Sequence, residues 1–540
     1  MGPVWRELSA FPKCEFSGGE ICYSRRMRTR FLLTTVCCFL VACPSASHGP
    51  QERTADSTLI SNVRIVDGSG DPGYQGSVRI RGDQILALGQ LEAAKGEKIF
   101  DGAGLVLAPG FIDTHSHADS LIFDHPDALA VISQGITTVI VGQDGDSRYP
   151  LADFVRQLES IGTTVNIGTY IGHNTIRKQI LGEDYRRVAT SEELVAMGEL
   201  LVQEMASGAM GLSTGLEYDP GIYSDTEEVL ALAQIAAAAG GRYISHIRSE
   251  DRWLDDAIDE IIEIGRATGM PVQISHIKLA MKGLWHHAPD LLTKLDAARA
   301  EGIDITADIY PYEYWQSNMM VLLPERDPTD REAVTFALDQ LAPPEGLWMT
   351  RFEPQPEYVG KTMTEIAALR EIDPVTAFMQ LAGESLRMSE KSGRGADAII
   401  GTSMIEEDIQ NLLMWEYTNI CTDGGLMDLH PRGRGTFPRI LARYVRQQPL
   451  MSLESAVRKM TGQAADNMGF TDRGYLREGW AADLVLFDPE TVVDRATPES
   501  PLSLADGIIA VWVAGEQVYV RGSVTDARPG RYLRNQPIAH

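Results

Sequence analysis

A chain of 540 residues, 44% hydrophobic and 23% charged, has the composition of a globular protein with room for one large core and a smaller one. Its net charge of −27 argues against nucleic acid as a partner, because that binding depends on basic contacts to phosphate. Of the six cysteines only Cys43 and Cys421 lie beyond the leader described next, so no disulfide framework is expected.

Arg25, Arg26, Arg28 and Arg30 precede the apolar run 31–42, which is too short to span a bilayer. A basic stretch followed by a short apolar one is the pattern of an export signal. It ends in Leu40-Val41-Ala42-Cys43, the form of a lipobox, in which cleavage leaves Cys43 as a lipidated N-terminus. The alternative is an ordinary cleaved signal with Cys43 incidental. The expectation is a signal over 1–42, a tether over 43–56, and a protein on the periplasmic side of a bacterial membrane, touching lipid only through its anchor.

From residue 58 to 88 the pattern turns to short strands, with Val63 and Ile65 alternating and Val78 and Ile80 interleaved with Arg79 and Arg81. Similar strands return at 482–488 and 510–520. The two ends are therefore expected to form one small β-domain from 57–106 and 466–525, followed by a tail over 526–540. Between them, apolar strands at 106–112, 137–141, 165–172, 210–214, 242–246, 271–276, 304–310 and 418–422 alternate with helical patterns such as 190–206, 226–239 and 290–300. That alternation predicts an α/β fold, a (β/α)8 TIM-type barrel over 107–465 with its chemistry at the C-terminal strand ends. The stretch 327–398 breaks the alternation and reads as a lid or insertion.

The strand at 106–112 runs into Asp113-Thr-His-Ser-His117. Side chains two apart on a strand share a face, so His115 and His117 form a natural ligand pair for a divalent metal. The strands at 242–246 and 271–276 both end in Ser-His, supplying His246 and His276. Asp423, before Gly424-Gly425, is either a turn residue or a general base beside a metal. Four imidazoles and one or two carboxylates suffice to hold one or two zinc ions (Zn2+) with a position open for water.

The run Pro109-Gly-Phe-Ile-Asp-Thr-His-Ser-His117 resembles the first barrel strand of the amidohydrolase superfamily. Gly211-Leu-Ser-Thr-Gly-Leu-Glu-Tyr218, Ser245-His-Ile-Arg248, Ala307-Asp-Ile-Tyr-Pro-Tyr312 and His430-Pro-Arg-Gly-Arg-Gly-Thr-Phe437 resemble its D-aminoacylase (N-acyl-D-amino-acid deacylase) branch. The resemblance implies that His115 and His117 serve one metal position, His246 and His276 a tighter one, and Asp423 the proton transfer. That branch usually carries a shared cysteine ligand after the second strand. Here Val141-Gly-Gln-Asp-Gly145 puts Asp144 in its place, as a harder carboxylate ligand or as a turn residue.

The same resemblance points to Tyr218, Lys278, Tyr310 and Arg432 around the α-carboxylate of an N-acyl amino acid. Arg432 offers a planar fork for a carboxylate, and Lys278 lies two residues beyond His276 on the same strand. The segment Glu313-Tyr-Trp-Gln-Ser-Asn318 is bulkier than the small-residue run expected there. His173 matches a family motif and receives no role. The implied activity is metal-dependent hydrolysis of N-acyl-D-amino acids to a carboxylate and a free D-amino acid. Rival readings are a dipeptidase acting on dipeptides with a C-terminal D-residue, a hydantoinase, and a non-catalytic binding lipoprotein. The hydantoinase reading needs a lysine at the fourth strand end, and residues 211–215 have none. The partner is a small molecule in every enzymatic reading; the oligomeric state stays open.

Overall fold

The computed structural model describes residues 56–535. The signal over 1–42 and the Cys43 anchor lie outside the described residues. Among those described, no helix is long and apolar enough to cross a membrane, and Cys421 is buried and free.

Eight parallel strands follow one another around a closed barrel. They are Phe111–Asp113, Ile136–Val141, Asn166–Thr169 continued by Ile171–Gly172, Gly211–Gly215, Arg242–His246, Val272–Ile274, Ile305–Ile309 and Thr418–Ile420. The last strand returns to the first through a parallel bridge between Ser116 and Gly424, reinforced by Asp423 N donating to His115 O at 2.9 Å. Nearly every strand residue is buried, as expected where helices cover the outside and side chains fill the inside. Ile112, Ile140, Met210 and Ile244 project into the interior, where they meet Ala464 and Met468 of the short helix Gly462–Met468 that plugs one end.

The apolar run 106–112 is two strands rather than one. Val106–Pro109 pairs with Ser57–Ile65 on one side and Leu484–Phe487 on the other, while Phe111–Asp113 opens the barrel. Gly110 is the joint: a Cβ there would stand 2.2 Å from the Thr137 hydroxyl, so the two sheets approach too closely for any other residue. The nine-stranded sheet that Val106–Pro109 joins is built from both ends of the chain. Where Val106–Pro109 meets Leu484–Phe487 its residues alternate. Leu107, Leu484 and Leu486 face the sheet's own core, and Val106, Ala108, Val485 and Phe487 face the barrel. Residues 526–535 are not a free tail. Gly530 and Tyr532 bridge to Thr163 and Ile167, and Tyr532 donates its hydroxyl proton to Gly208 O at 3.0 Å.

Between the seventh and eighth strands stands a separate folded unit. Tyr314–Ser317, Leu347–Phe352 and Asp397–Thr402 form an antiparallel sheet, with the helix Pro374–Ser392 packed on it. Its core, including Met319, Leu338, Phe352, Ile366, Phe378 and Ile399, is distinct from that of the barrel. The unit starts earlier than the excursion read at 327–398, because the bulky segment at 313–318 is its first strand.

Candidate metal centre

All four histidines reach one point above the barrel, although not for the reason the strand pattern suggested. The first strand ends at Asp113 and the sixth at Ile274, so His115, His117, His276 and Lys278 lie beyond regular alternation. Local conformation aims them instead. Asp144, His276 and Asp423 all adopt left-handed backbone, with φ of 54°, 35° and 49°. Such conformations cost energy and persist where surrounding contacts hold them. Asp308 holds His276, accepting its backbone N–H at 2.6 Å. Asp113, buried and pushed up to about 7 by that burial, accepts the Thr422 backbone N–H at 2.8 Å.

The Asp144 carboxylate spans both histidine pairs. Its Oδ1 is 3.4 Å from His115 Nε2 and 3.3 Å from His276 Nε2, and its Oδ2 is 3.3 Å from His117 Nε2. His246 Nδ1 lies 3.1 Å from His276 Nε2. Asp423 Oδ1 is 3.2 Å from His117 Nε2 and 3.6 Å from His115 Nε2, and Arg432 holds its Oδ2 at 2.5 Å. His173 stands apart. Buried against Glu228 at 2.7 Å, it belongs to the segment that braces the Asp144 turn, in which Thr175 N donates to Gly145 O at 3.0 Å.

Two carboxylates that sequence reading missed complete the arrangement. Glu217 Oε2 lies 3.0 Å from His246 Nε2, and Glu250 Oε1 lies 2.9 Å from His276 Nδ1. Glu217 favours a proton on His246 Nε2, leaving Nδ1 as a lone-pair donor, while His276 Nδ1 sits between Glu250 and the Lys278 ammonium at 2.7 Å and its Nε2 faces Asp144. That is how metal-ligating histidines are oriented. Glu250 also holds Lys278 Nζ at 2.5 Å.

The donor set fits a cation. His115, His117, Asp144 and Asp423 bring one ligand atom each within 4.8 Å of one another, as do Asp144, His246 and His276. Both ring nitrogens of the fully buried His115 lack a hydrogen-bond partner among the described residues, an expensive arrangement unless an ion takes the lone pair. Burial alone would hold the His276 imidazole neutral, yet Glu250, Asp423 and Asp144 outweigh it and push its pKa up to about 10. The cavity is electrostatically a hole for positive charge.

Above this point opens a cleft of about 480 Å³ lined by Tyr218, Lys278, Tyr310, Trp315, Gln316 and Arg432 among others. Lys278 Nζ stands 5.7 Å and the Arg432 guanidinium 4.7 Å from the centre of the Tyr310 ring. Arg432 Nε and the Tyr310 hydroxyl are buried without partners among the described residues, which leaves donors for an incoming anion.

The sequence profile of the amidohydrolase family matches residues 98–342 and 418–519. The chain belongs to the amidohydrolase family. The break in the match covers most of the inserted unit. N-acyl-D-glutamate deacylase of Alcaligenes xylosoxydans xylosoxydans is 35% identical over 501 residues, 88% of this chain and 96% of its own. A crystal structure of D-aminoacylase superposes with a TM-score of 0.79 at 34% identity, over 88% of this chain and 99% of that one. N-acyl-D-glutamate deacylase from Bordetella bronchiseptica, solved with zinc and a phosphonate mimic of the tetrahedral intermediate, gives 0.78 at 33%, over the same shares. Membership of the amidohydrolase family, together with this donor set, makes the protein a metal-dependent hydrolase.

Proposed function

We propose that the protein hydrolyses the amide bond of N-acyl-D-amino acids to a carboxylate and a free D-amino acid. In this reading His115, His117, Asp144, His246 and His276 hold one or two zinc ions. The observation that carries it is one cleft joining the imidazole cluster, the Asp423 carboxylate and a cationic clamp. Relatives named for N-acyl-D-amino-acid substrates support it.

A bound zinc ion supplies Lewis acidity for the amide carbonyl and lowers the pKa of a water. The chain's own groups supply the rest. Arg432 fixes one oxygen of Asp423, so the other, facing His115 and His117, is positioned to take a proton from the attacking water and return it to the departing nitrogen. Arg432 Nε and the Tyr310 hydroxyl bind the substrate α-carboxylate, with Lys278 adding charge from below. The carbon–nitrogen bond breaks, water oxygen stays on the acyl carbon, and the amine leaves protonated.

A second reading, a dipeptidase acting on dipeptides with a C-terminal D-residue, draws on the polar cleft beside His117. There Asp428, half-buried, offers a carboxylate to an N-terminal ammonium. The deciding experiment is amine release from paired N-acetyl-D- and N-acetyl-L-amino acids, with zinc and with chelator. Chelator-sensitive release from the D series supports deacylation. Metal bound without release from either series favours D-dipeptides, and metal bound with no turnover of these leaves the binding lipoprotein.

Export and acylation at Cys43 complete the proposal, on the basic–apolar–lipobox pattern alone. Palmitate labelling that persists in Cys43→Ser would refute the anchor.

A further inference from the structure

The site's charges say what kind of substrate side chain it takes. The cleft of about 480 Å³ is lined by two cations, Lys278 and Arg432, and both are engaged, by Glu250 and Asp423. Glu217 and Asp251 add further carboxylates to the wall. Nearby arginines are spoken for. Arg252 pairs with Asp251 at 3.0 Å and stacks against Phe336, and Arg326 holds Asp219 at 2.8 Å and Glu217 O at 2.5 Å. Among the described residues no third lysine or arginine lines this cleft.

Beside the uncharged Tyr218, Gln316 and Ser317, the rest of the wall is apolar. Trp315, Val321, Leu322 and Leu341, all from the inserted unit, face Ala280 across the cleft. Leu322 and Leu341 are buried, and Trp315 is fixed by donating its indole N–H to Ser403 Oγ at 2.7 Å. The bulky strand at 314–317 thus supplies a wall, not an obstruction.

We infer that this lobe selects N-acyl-D-amino acids with uncharged, apolar side chains and rejects those of D-glutamate and D-aspartate. The inference rests on the deacylase reading and separates this chain from relatives named for N-acyl-D-glutamate. One carboxylate of the substrate is met by Arg432, Tyr310 and Lys278. A second would enter a lobe with no counter-charge, among Glu217, Glu250 and Asp251. Burying an unpaired charge there weakens binding, whereas burying an aliphatic group strengthens it. Arg351 lines the adjoining cleft beside His117, which shares Tyr218, Gln316, Ser317, Asp423 and Arg432 with this one, and it donates to the carbonyls of Gly395 and Asp397.

The test is kcat/KM of the zinc-loaded full chain on N-acetyl-D-leucine, -methionine, -glutamate and -aspartate, with Val321→Arg, Gln316→Arg and Arg351→Gln alongside. Expected is at least a hundredfold preference for leucine and methionine, with one of the two introduced arginines raising glutamate turnover and lowering that of leucine. Wild-type preference for glutamate or aspartate overturns the inference while leaving deacylation intact, and its loss in Arg351→Gln would show where the acidic side chain sits instead. Release from no N-acyl-D-amino acid removes the deacylase reading and this inference with it.

Discussion

The two oxygens of the Asp144 carboxylate face different histidines, so neutralising it without changing its shape strikes both ligand groups at once. Asp144→Asn should lower bound metal per chain, measured by elemental analysis, and reduce turnover by at least tenfold. Asp144→Cys should restore both in large part, since a thiolate is a good zinc ligand. Full metal content in Asp144→Asn would mean that the residue only shapes its turn. Glu250→Gln keeps the contact to His276 but removes the charge. A 10–100-fold weaker metal affinity, read by chelator competition, is expected if Glu250 orients that ligand. An affinity equal to wild type would assign Glu250 to Lys278 alone.

Lys459 offers a test away from the metal. Its ammonium is buried with no ion-paired carboxylate among the described residues, donates to the carbonyls of Trp415 and Thr418, and is pulled down to about 7 by burial and then by Arg458, against a smaller pull from Glu416. Between about 7 and the ordinary 10.5 the unfolded chain binds the extra proton, so stability should rise with pH across that window, by at most about 1.4 kcal/mol per pH unit. Comparing unfolding midpoints of wild type and Lys459→Met from pH 7 to 9 isolates the effect, and parallel curves would refute it. The histidines were readable because each follows an apolar strand. Glu217 and Glu250 were not, because Glu217 meets His246 29 residues away and Glu250 meets Lys278 28 residues away, beside His276. No local spacing encodes such contacts.

At the scale of elements, the apolar run at 106–112 shows where periodicity stops informing. Strands buried on both faces carry no alternation, so a change of sheet leaves no mark but Gly110. Gly110→Ala should therefore be severe. The new methyl overlaps the Thr137 side chain, and a loss of about 1–3 kcal/mol in thermal or denaturant unfolding is expected. An unchanged midpoint would mean that the two sheets can separate there. Helix starts were easier to read. Thr190 and Glu193 close a reciprocal capping box before Ser191–Ala206, a local signal written into four residues. The strand Tyr314–Ser317 escaped notice because it pairs across the whole inserted unit, Ser317 opposite Ile399.

For the molecule as a whole, a metal that binds only the folded state adds its binding energy to stability, about 2.7 kcal/mol at a hundredfold excess over Kd. Chelation should lower the unfolding midpoint by a few degrees and abolish turnover, and zinc should restore both. A midpoint indifferent to chelator would place the ligands in a scaffold that needs no ion. The barrel order was legible in advance because βα units repeat along the chain. Its closure was not, since it depends on Ser116 meeting Gly424.

The sheet made from both ends of the chain sets a timetable for synthesis. Arg64, in the first strand, finds its partner Glu454 only 390 residues later, and Val106–Pro109 waits for Leu484–Phe487. At about 5–20 residues per second a ribosome needs roughly 20–80 s to span the first of these gaps. Throughout that interval the nascent N-terminal strands, rich in Ile and Val, stand with one edge unclaimed. The enzyme therefore completes its native sheet only once Leu484–Phe487 has been made, long after the first strands.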